Sequence, residues 1–208
     1  MKPAWIRPLA LTLAAVALAG CGASPPPRYH ALSIAAPPQP SGSARLLVEI
    51  LPVAVPDRLN REEMVLTSET GQLSVRDGDR WAAPLAGEIR QIVTDTLWYR
   101  LRAADVYRAP VAPGPSGLHQ FRLALRIERF EAVSGKSAFI DGSWTARQLP
   151  EGRSVTCRAG IAIALSEPSA DAAAAALSEG TGQLARLVAD SIGRIDRDGT
   201  LVCPTENQ

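Results

Sequence analysis

The side chain best placed for chemistry in this 208-residue sequence is the thiol of Cys21, which directly follows Leu18-Ala19-Gly20. Upstream lie a short basic segment with Lys2 and Arg7 and an apolar run from Leu9 to Ala19. A basic start, an apolar stretch of about 7–15 residues and small residues at the cut are typical of a secretory signal peptide. The run is shorter than the ~20 apolar residues that a membrane-spanning helix needs. The sequence therefore predicts export and cleavage after residue 20.

The tetrapeptide Leu18–Cys21 resembles the lipobox of bacterial lipoproteins, in which the cysteine thiol is acylated and becomes the first mature residue. The resemblance implies a lipoprotein signal peptide over residues 1–20 and acyl chains, palmitate among them, on Cys21. Stable anchoring takes at least two membrane-binding signals, and a lipoprotein cysteine typically carries three chains. Gly22 stands where inner-membrane lipoproteins commonly have Asp, so we expect the outer membrane, facing the periplasm. The alternative is an ordinary signal peptide followed by a cysteine.

Residues 21–44 are expected to form a Pro-rich tether behind the lipidated cysteine. Pro25-Pro26-Pro27 is typical of an extended spacer, and residues 22–28 would reach about 20 Å at ~3.1 Å per residue. Tyr29–Ile34 is compatible with a short edge strand, and a loop rich in Pro, Gly and Ser follows it. We expect the folded domain to span residues 45–208.

Two further cysteines, Cys157 and Cys203, remain after lipidation. An even pair in an oxidising compartment favours a disulfide. The alternative is two free thiols, with Cys157 buried in its strand.

Nothing in the sequence has the spacing of a catalytic or metal site. His30 and His119 are the only histidines, neither cysteine is flanked by His at metal-ligand spacing, and no G-x-S-x-G motif occurs. Ser134–Ser137 imitates the end of a phosphate-binding loop, but Phe130 stands where the earlier glycine is required. We expect a non-enzymatic protein without metal or cofactor, although two distant carboxylates could still serve a hydrolase.

The charge balance argues against nucleic acid as a partner. The sequence has 22 Lys and Arg against 21 Asp and Glu, and removal of residues 1–20 leaves a net charge of −1. Binding to DNA or RNA requires a basic excess or stripe, which this chain lacks.

Alternation of apolar and polar residues predicts most of the strands. Leu46–Val55 is apolar on both faces, as in a buried strand, and a turn at Glu69–Gly71 indicates a hairpin. A slip of phase at Phe130 indicates a bulge. An antiparallel meander is expected from three segments: Phe121–Phe130, Ala138–Leu149 and Val155–Leu165.

Two amphipathic helices complete the predicted fold. The first follows Pro84 and is expected to be capped by Asp79 or by a residue near Ala83. The second would begin at Asp171 and break near Gly180 and Gly182, since each glycine costs about 1 kcal/mol relative to Ala. The expected fold class is α/β: a single domain with a mixed sheet packed against two helices.

Three segments carry a resemblance to a known family, and they read V-A-V-P-D-R-L-N-R, M-V-L-T and D-R-W-A-A-P-L over Val53–Arg61, Met64–Thr67 and Asp79–Leu85. They are similar to the PqiC-type ABC transport auxiliary lipoproteins, which share V-x-V-P-x-x-L-x-R and R-W-x-x-P-L patterns. Asn60 and Glu62-Glu63 depart from that pattern, as do the two extra cysteines. The matching positions are Tyr29, Leu32, Pro56, Leu59, Arg61, Arg80, Trp81, Pro84 and Leu85.

The resemblance implies a partner set: a periplasmic MCE-domain protein with its permease and ATPase, which together move lipids across the Gram-negative envelope. The lipoprotein would be the non-catalytic outer-membrane component, and self-association into a homo-oligomer is compatible with that role. Arg61, Arg80 and Trp81 are candidates for partner contact, and the alternative is that they serve the fold alone. The rival function is that of a structural or assembly lipoprotein unrelated to transport.

Replacing the thiol of Cys21 tests the anchor directly. In the Cys21→Ser variant no acyl chain can attach, so the protein should leave the membrane pellet for the soluble or the uncleaved fraction. Immunoblots of fractionated cells measure this. Normal cleavage together with unchanged membrane fractionation would contradict the assignment.

Overall fold

The structure is a computed structural model that describes residues 25–34, 40–107, 117–150 and 152–205. The predicted signal peptide and Cys21 lie outside the described residues. In chain order the elements are β1 (Arg28–His30), β2 (Leu46–Ile50), β3 (Glu63–Thr67), β4 (Leu73–Trp81), α1 (Leu85–Leu101), β5 (Ala103–Asp105), β6 (His119–Val133), β7 (Ser137–Leu149), β8 (Ser154–Ala164) and α2 (Ala170–Asp198).

All eight of these strands belong to one mixed sheet built around β6. One edge of β6 pairs with β7 from Gln120 to Val133, and β7 pairs with β8, so the predicted antiparallel meander is confirmed. The other edge pairs in parallel with β2 and, at its end, with β3. The strands β4 and β1 extend the sheet beyond β3, and β5 extends it beyond β2.

The alternation along β6 separates the core from an open face. Phe121, Leu123, Leu125 and Ile127 are buried, whereas Arg122 and Arg126 between them are exposed. The predicted bulge lies between Ile127 and Arg129 and returns Phe130 to the buried side. The core therefore lies between this face of the sheet and the two helices.

Both helices pack on the sheet and on each other: α1 covers β2 and β5, and α2 covers β6, β7 and β8. The helix α1 begins directly after Pro84, so Asp79 does not cap it and instead lies within β4. The cap of α2 is Ser169, whose hydroxyl accepts a hydrogen bond from the backbone N–H of Ala172. The predicted cap Asp171 lies in the first turn, where a carboxylate favours the helix N-terminus.

The predicted break in α2 is wrong, because the helix runs unbroken through 29 residues. At Gly180 an added Cβ would stand 2.2 Å from Ile140 Cδ1 and 3.2 Å from Ile140 Cγ1. At Gly182 it would stand 2.9 Å from Ile34 Cγ2. These glycines let the helix approach its neighbours closely, and the packing offsets their low helix propensity.

Packing begins well upstream of Arg45. The strand β1 pairs in parallel with β4, and Leu32 is buried in the core. The backbone N–H of Leu32 donates to Glu88 on α1, and that of Ser33 donates to Ser178 on α2. The segment 28–34, which we call the strap, thus ties β4 to both helices.

The structure joins Cys157 and Cys203 in a disulfide, with their Cα atoms 5.5 Å apart. Cys157 is buried in β8, and Cys203 lies in the tail after α2. The bridge closes a loop of 46 residues that contains all of α2.

Two Gly→Ala variants separate packing from helix propensity. Gly180→Ala should destabilise the domain by about 1–3 kcal/mol, because the buried Ile140 side chain has no free space into which to move. Gly87→Ala, on the exposed side of α1 with nothing within 4 Å, should stabilise it by up to ~1 kcal/mol. Denaturant unfolding measures both, and equal effects of the two variants would contradict the packing argument.

Candidate partner-binding site

The residues singled out by the family resemblance meet where β4 turns into α1. A groove of about 380 Å³ lies there, which we call the junction groove. It is lined by Tyr29, Asn60, Arg61, Glu62, Trp81, Ala82, Ala83 and Pro84. Pro84 directly precedes the first residue of α1, where its fixed φ suits the start of a helix. The groove thus brings Arg61 and Trp81 together, and Arg80 adjoins it through its contact with Glu62.

Trp81 forms part of the groove but belongs mainly to the core. It is only 7% exposed, and its ring meets that of Phe130 edge-on, with the centroids 6.2 Å apart. Such an aromatic pair contributes about 0.5–1.5 kcal/mol beyond the burial of its area. The indole therefore supports the groove from below and offers little surface to a partner.

The two arginines, Arg61 and Arg80, form ion pairs with glutamates at the edge of the groove. Arg61 Nε donates to Glu63 Oε2 at 2.9 Å, and this bond from Arg61 keeps the pKa of Glu63 below its usual value. Arg80 reaches Glu62 at 3.4 Å, and its Nε is buried without a hydrogen-bond partner among the described residues. The Glu62 side chain is 78% exposed, so the rim presents charges of both signs to solvent.

An ionic cluster surrounds the buried pair His30 and Asp79, and sequence reasoning missed it. Asp79 is 3% exposed, and its Oδ1 lies 3.0 Å from Nε2 of the buried His30 and 2.7 Å from Arg28. Arg76 approaches the same carboxylate at 3.6 Å, and Asp171 lies 3.4 Å from His30 Nδ1. The cluster fastens the strap to β4 and to the first turn of α2.

A bulge in β4 places Asp79 in this cluster. Glu63 pairs with Arg80 and Met64 with Arg76, so residues 77–79 have no counterpart on β3. An extra segment in one strand re-aims its side chains. Burial raises the pKa of Asp79, but the hydrogen bond with His30 and the charge of Arg28 outweigh it and leave that pKa below its usual value.

The described residues offer no metal site of three or more His, Cys, Asp or Glu. In the same part of the chain no helix is long and apolar enough to cross a membrane.

Comparison with known proteins supplies the family. A family described as "ABC-type transport auxiliary lipoprotein component" matches residues 30–189, which cover the strap, the junction groove and most of α2. The chain belongs to this family. The resemblance found in the sequence is thereby confirmed. A search of curated proteins returns no match.

Solved structures share the fold. One, from an uncharacterised protein, has a TM-score of 0.62 at 18% identity and covers 81% of this chain and 99% of its own. A Xanthomonas campestris protein of family DUF330 has a TM-score of 0.61 at 20% identity, covering 82% and 98%. This chain therefore shares the fold of both proteins over nearly the whole length of each.

Removing the charge of Asp79 tests the cluster. A carboxylate whose folded-state pKa is lowered stabilises above its unfolded pKa of about 3.9, and that stability is lost as the pH falls through the folded pKa. Asp79→Asn should cost about 1–3 kcal/mol at pH 7 and flatten the acid decline of the free energy of unfolding.

The neighbouring exposed Asp77 is the matched control, and Asp77→Asn should change stability by no more than ~0.5 kcal/mol. Thermal melts between pH 3 and pH 7 measure both variants. Parallel pH profiles for wild type and Asp79→Asn would contradict the assigned role.

Proposed function

We propose that this protein is the outer-membrane-anchored, non-catalytic lipoprotein of an MCE-type ABC transporter that moves lipids across the Gram-negative envelope. The observation that carries the proposal is the family match over residues 30–189, which is to an auxiliary lipoprotein component of ABC-type transport. The lipobox-like Leu18–Cys21 supports the anchor, and Gly22 supports the outer membrane.

The junction groove supplies a surface for the periplasmic partner. It is lined by Arg61 and the exposed Glu62, which Arg80 contacts, and by the buried Trp81. Paired charges at the edge of an interface set orientation and association rate more than affinity. In this proposal the arginines meet the MCE-domain protein, and Trp81 keeps their backbone in place.

The lipoprotein's part in transport is to dock and position. It holds the periplasmic assembly at the outer membrane, and the permease and ATPase supply the energy. The charged face of β6 and the charged rim of the groove fit protein contact better than passage of an acyl chain, because burying an unpaired charge in lipid is costly.

Site-specific photo-crosslinking in cells tests this function. A photoreactive phenylalanine derivative at Glu62 should capture the MCE-domain protein, whereas the same group at Tyr99, 45% exposed on α1, is the matched control and should not. Deleting the protein should also weaken the outer-membrane barrier to detergents and bile salts.

The charge of the groove can be reversed without touching the core. Arg61→Glu should reduce capture at Glu62 while leaving the melting temperature near that of wild type, because Arg61 is 43% exposed. Recovery of only peptidoglycan or barrel-assembly proteins at Glu62 would support the structural-lipoprotein alternative.

A further inference from the structure

The described part of the tether does not leave the domain freely, because it follows β4. In the parallel pairing of β1 and β4, Arg28 stands opposite Asp79. Pro25 and Pro26 line a groove of about 390 Å³ together with Val75–Asp77. Since β4 starts at the hairpin turn, the chain upstream of β1 runs back toward that turn.

This path shortens the free part of the tether. Only four peptide units separate Pro25 from Cys21, and at most ~3.6 Å per residue they reach about 14 Å. The expected spacer of about 20 Å counted residues 22–28 as free. Residues 25–28 lie along the domain instead, so chain length allows Cys21 no more than about 14 Å from Pro25, which lines the groove beside Val75–Asp77.

The surface at that place is exposed and carries two apolar side chains. Residues 73–78, which we call the β4 arm, are exposed throughout. Leu73 and Val75 are 52% and 40% exposed, and their spacing of two puts both side chains on one face of the strand. Arg76, 47% exposed, follows Val75 on the opposite face of the strand, where it approaches Asp79.

We propose that the β4 arm is a membrane-contacting surface, with Leu73 and Val75 inserted into the lipid that holds the acyl chains. The proposal rests on acylation of Cys21, which is part of the proposed function. For its chains to reach hydrocarbon, Cys21 must lie in the interfacial layer, which is roughly 5–8 Å thick on each side of a bilayer. A reach of at most about 14 Å from that layer to Pro25 then places the arm within contact range of the headgroups.

The opposite end of the sheet is held away from the bilayer. The strand β7 begins beside the hairpin end, where Lys136 pairs with Glu69 at 3.1 Å, and it ends at Leu149. Thirteen residues at about 3.3 Å each separate its two ends by roughly 40 Å. Arg153, in the exposed turn after β7, therefore serves as a control position remote from lipid.

Tryptophan quenching by brominated lipid tests the contact. Full-length lipidated Leu73→Trp, Val75→Trp and Arg153→Trp proteins would be reconstituted in vesicles of phosphatidylethanolamine and phosphatidylglycerol with dibrominated acyl chains. The parent protein, with Trp81, Trp98 and Trp144, gives the baseline. Leu73→Trp and Val75→Trp should lose most of their added emission, and Arg153→Trp should keep its own.

Two readouts distinguish a failure of the membrane-contact proposal from a failure of the proposed acylation of Cys21. Flotation of the parent protein with the vesicles reports acylation, and failure to float would overturn both inferences. Flotation with unquenched emission at positions 73 and 75 would overturn membrane contact while leaving the anchor intact. Protection of these positions only after a periplasmic protein is added would make the arm a protein-binding surface.

Discussion

The pairing of β6 along both of its edges is the constraint on which the rest of this structure depends. One edge pairs with β7, which in turn pairs with β8. The other edge pairs with β2 near the start of β6 and with β3 near its end. The bulge after Ile127 changes which side chains face inward, so that Phe130 stands under Trp81. The position of the junction groove, at the end of β4, therefore depends on one irregularity in a strand that does not line it.

The local pattern of apolar and polar residues predicted the elements in which buried and exposed side chains follow a regular period. The alternation of β6, the slip of phase at Phe130 and the apolar face of α1 each reflect a single packed surface, which a few neighbouring residues reveal. The β4 arm shows no such alternation because it is exposed on both faces. A strand without a buried face has no periodic signal.

The errors come from contacts between residues that are far apart in the chain. Asp79 looks like a helix cap because it precedes Pro84, yet its partner is His30, 49 residues away. Gly180 looks like a helix breaker because its role is to admit Ile140, whose position no local pattern shows. The family resemblance singled out Arg61, Arg80 and Trp81, but the burial of Trp81 and the ionic cluster around Asp79 arise from long-range contacts that no local pattern shows.

The three prolines beside β4 have a consequence for how copies of this protein behave together. Anchored proteins diffuse in a plane, where neighbours meet often and an open strand edge invites one sheet to continue into the next. Proline has no N–H with which to extend a ladder, so Pro25, Pro26 and Pro27 make a poor template for another strand. In the proposed lipid-anchored state, the segment that leads to Cys21 thus also protects the strand edge that crowding in the membrane plane would expose most to aggregation.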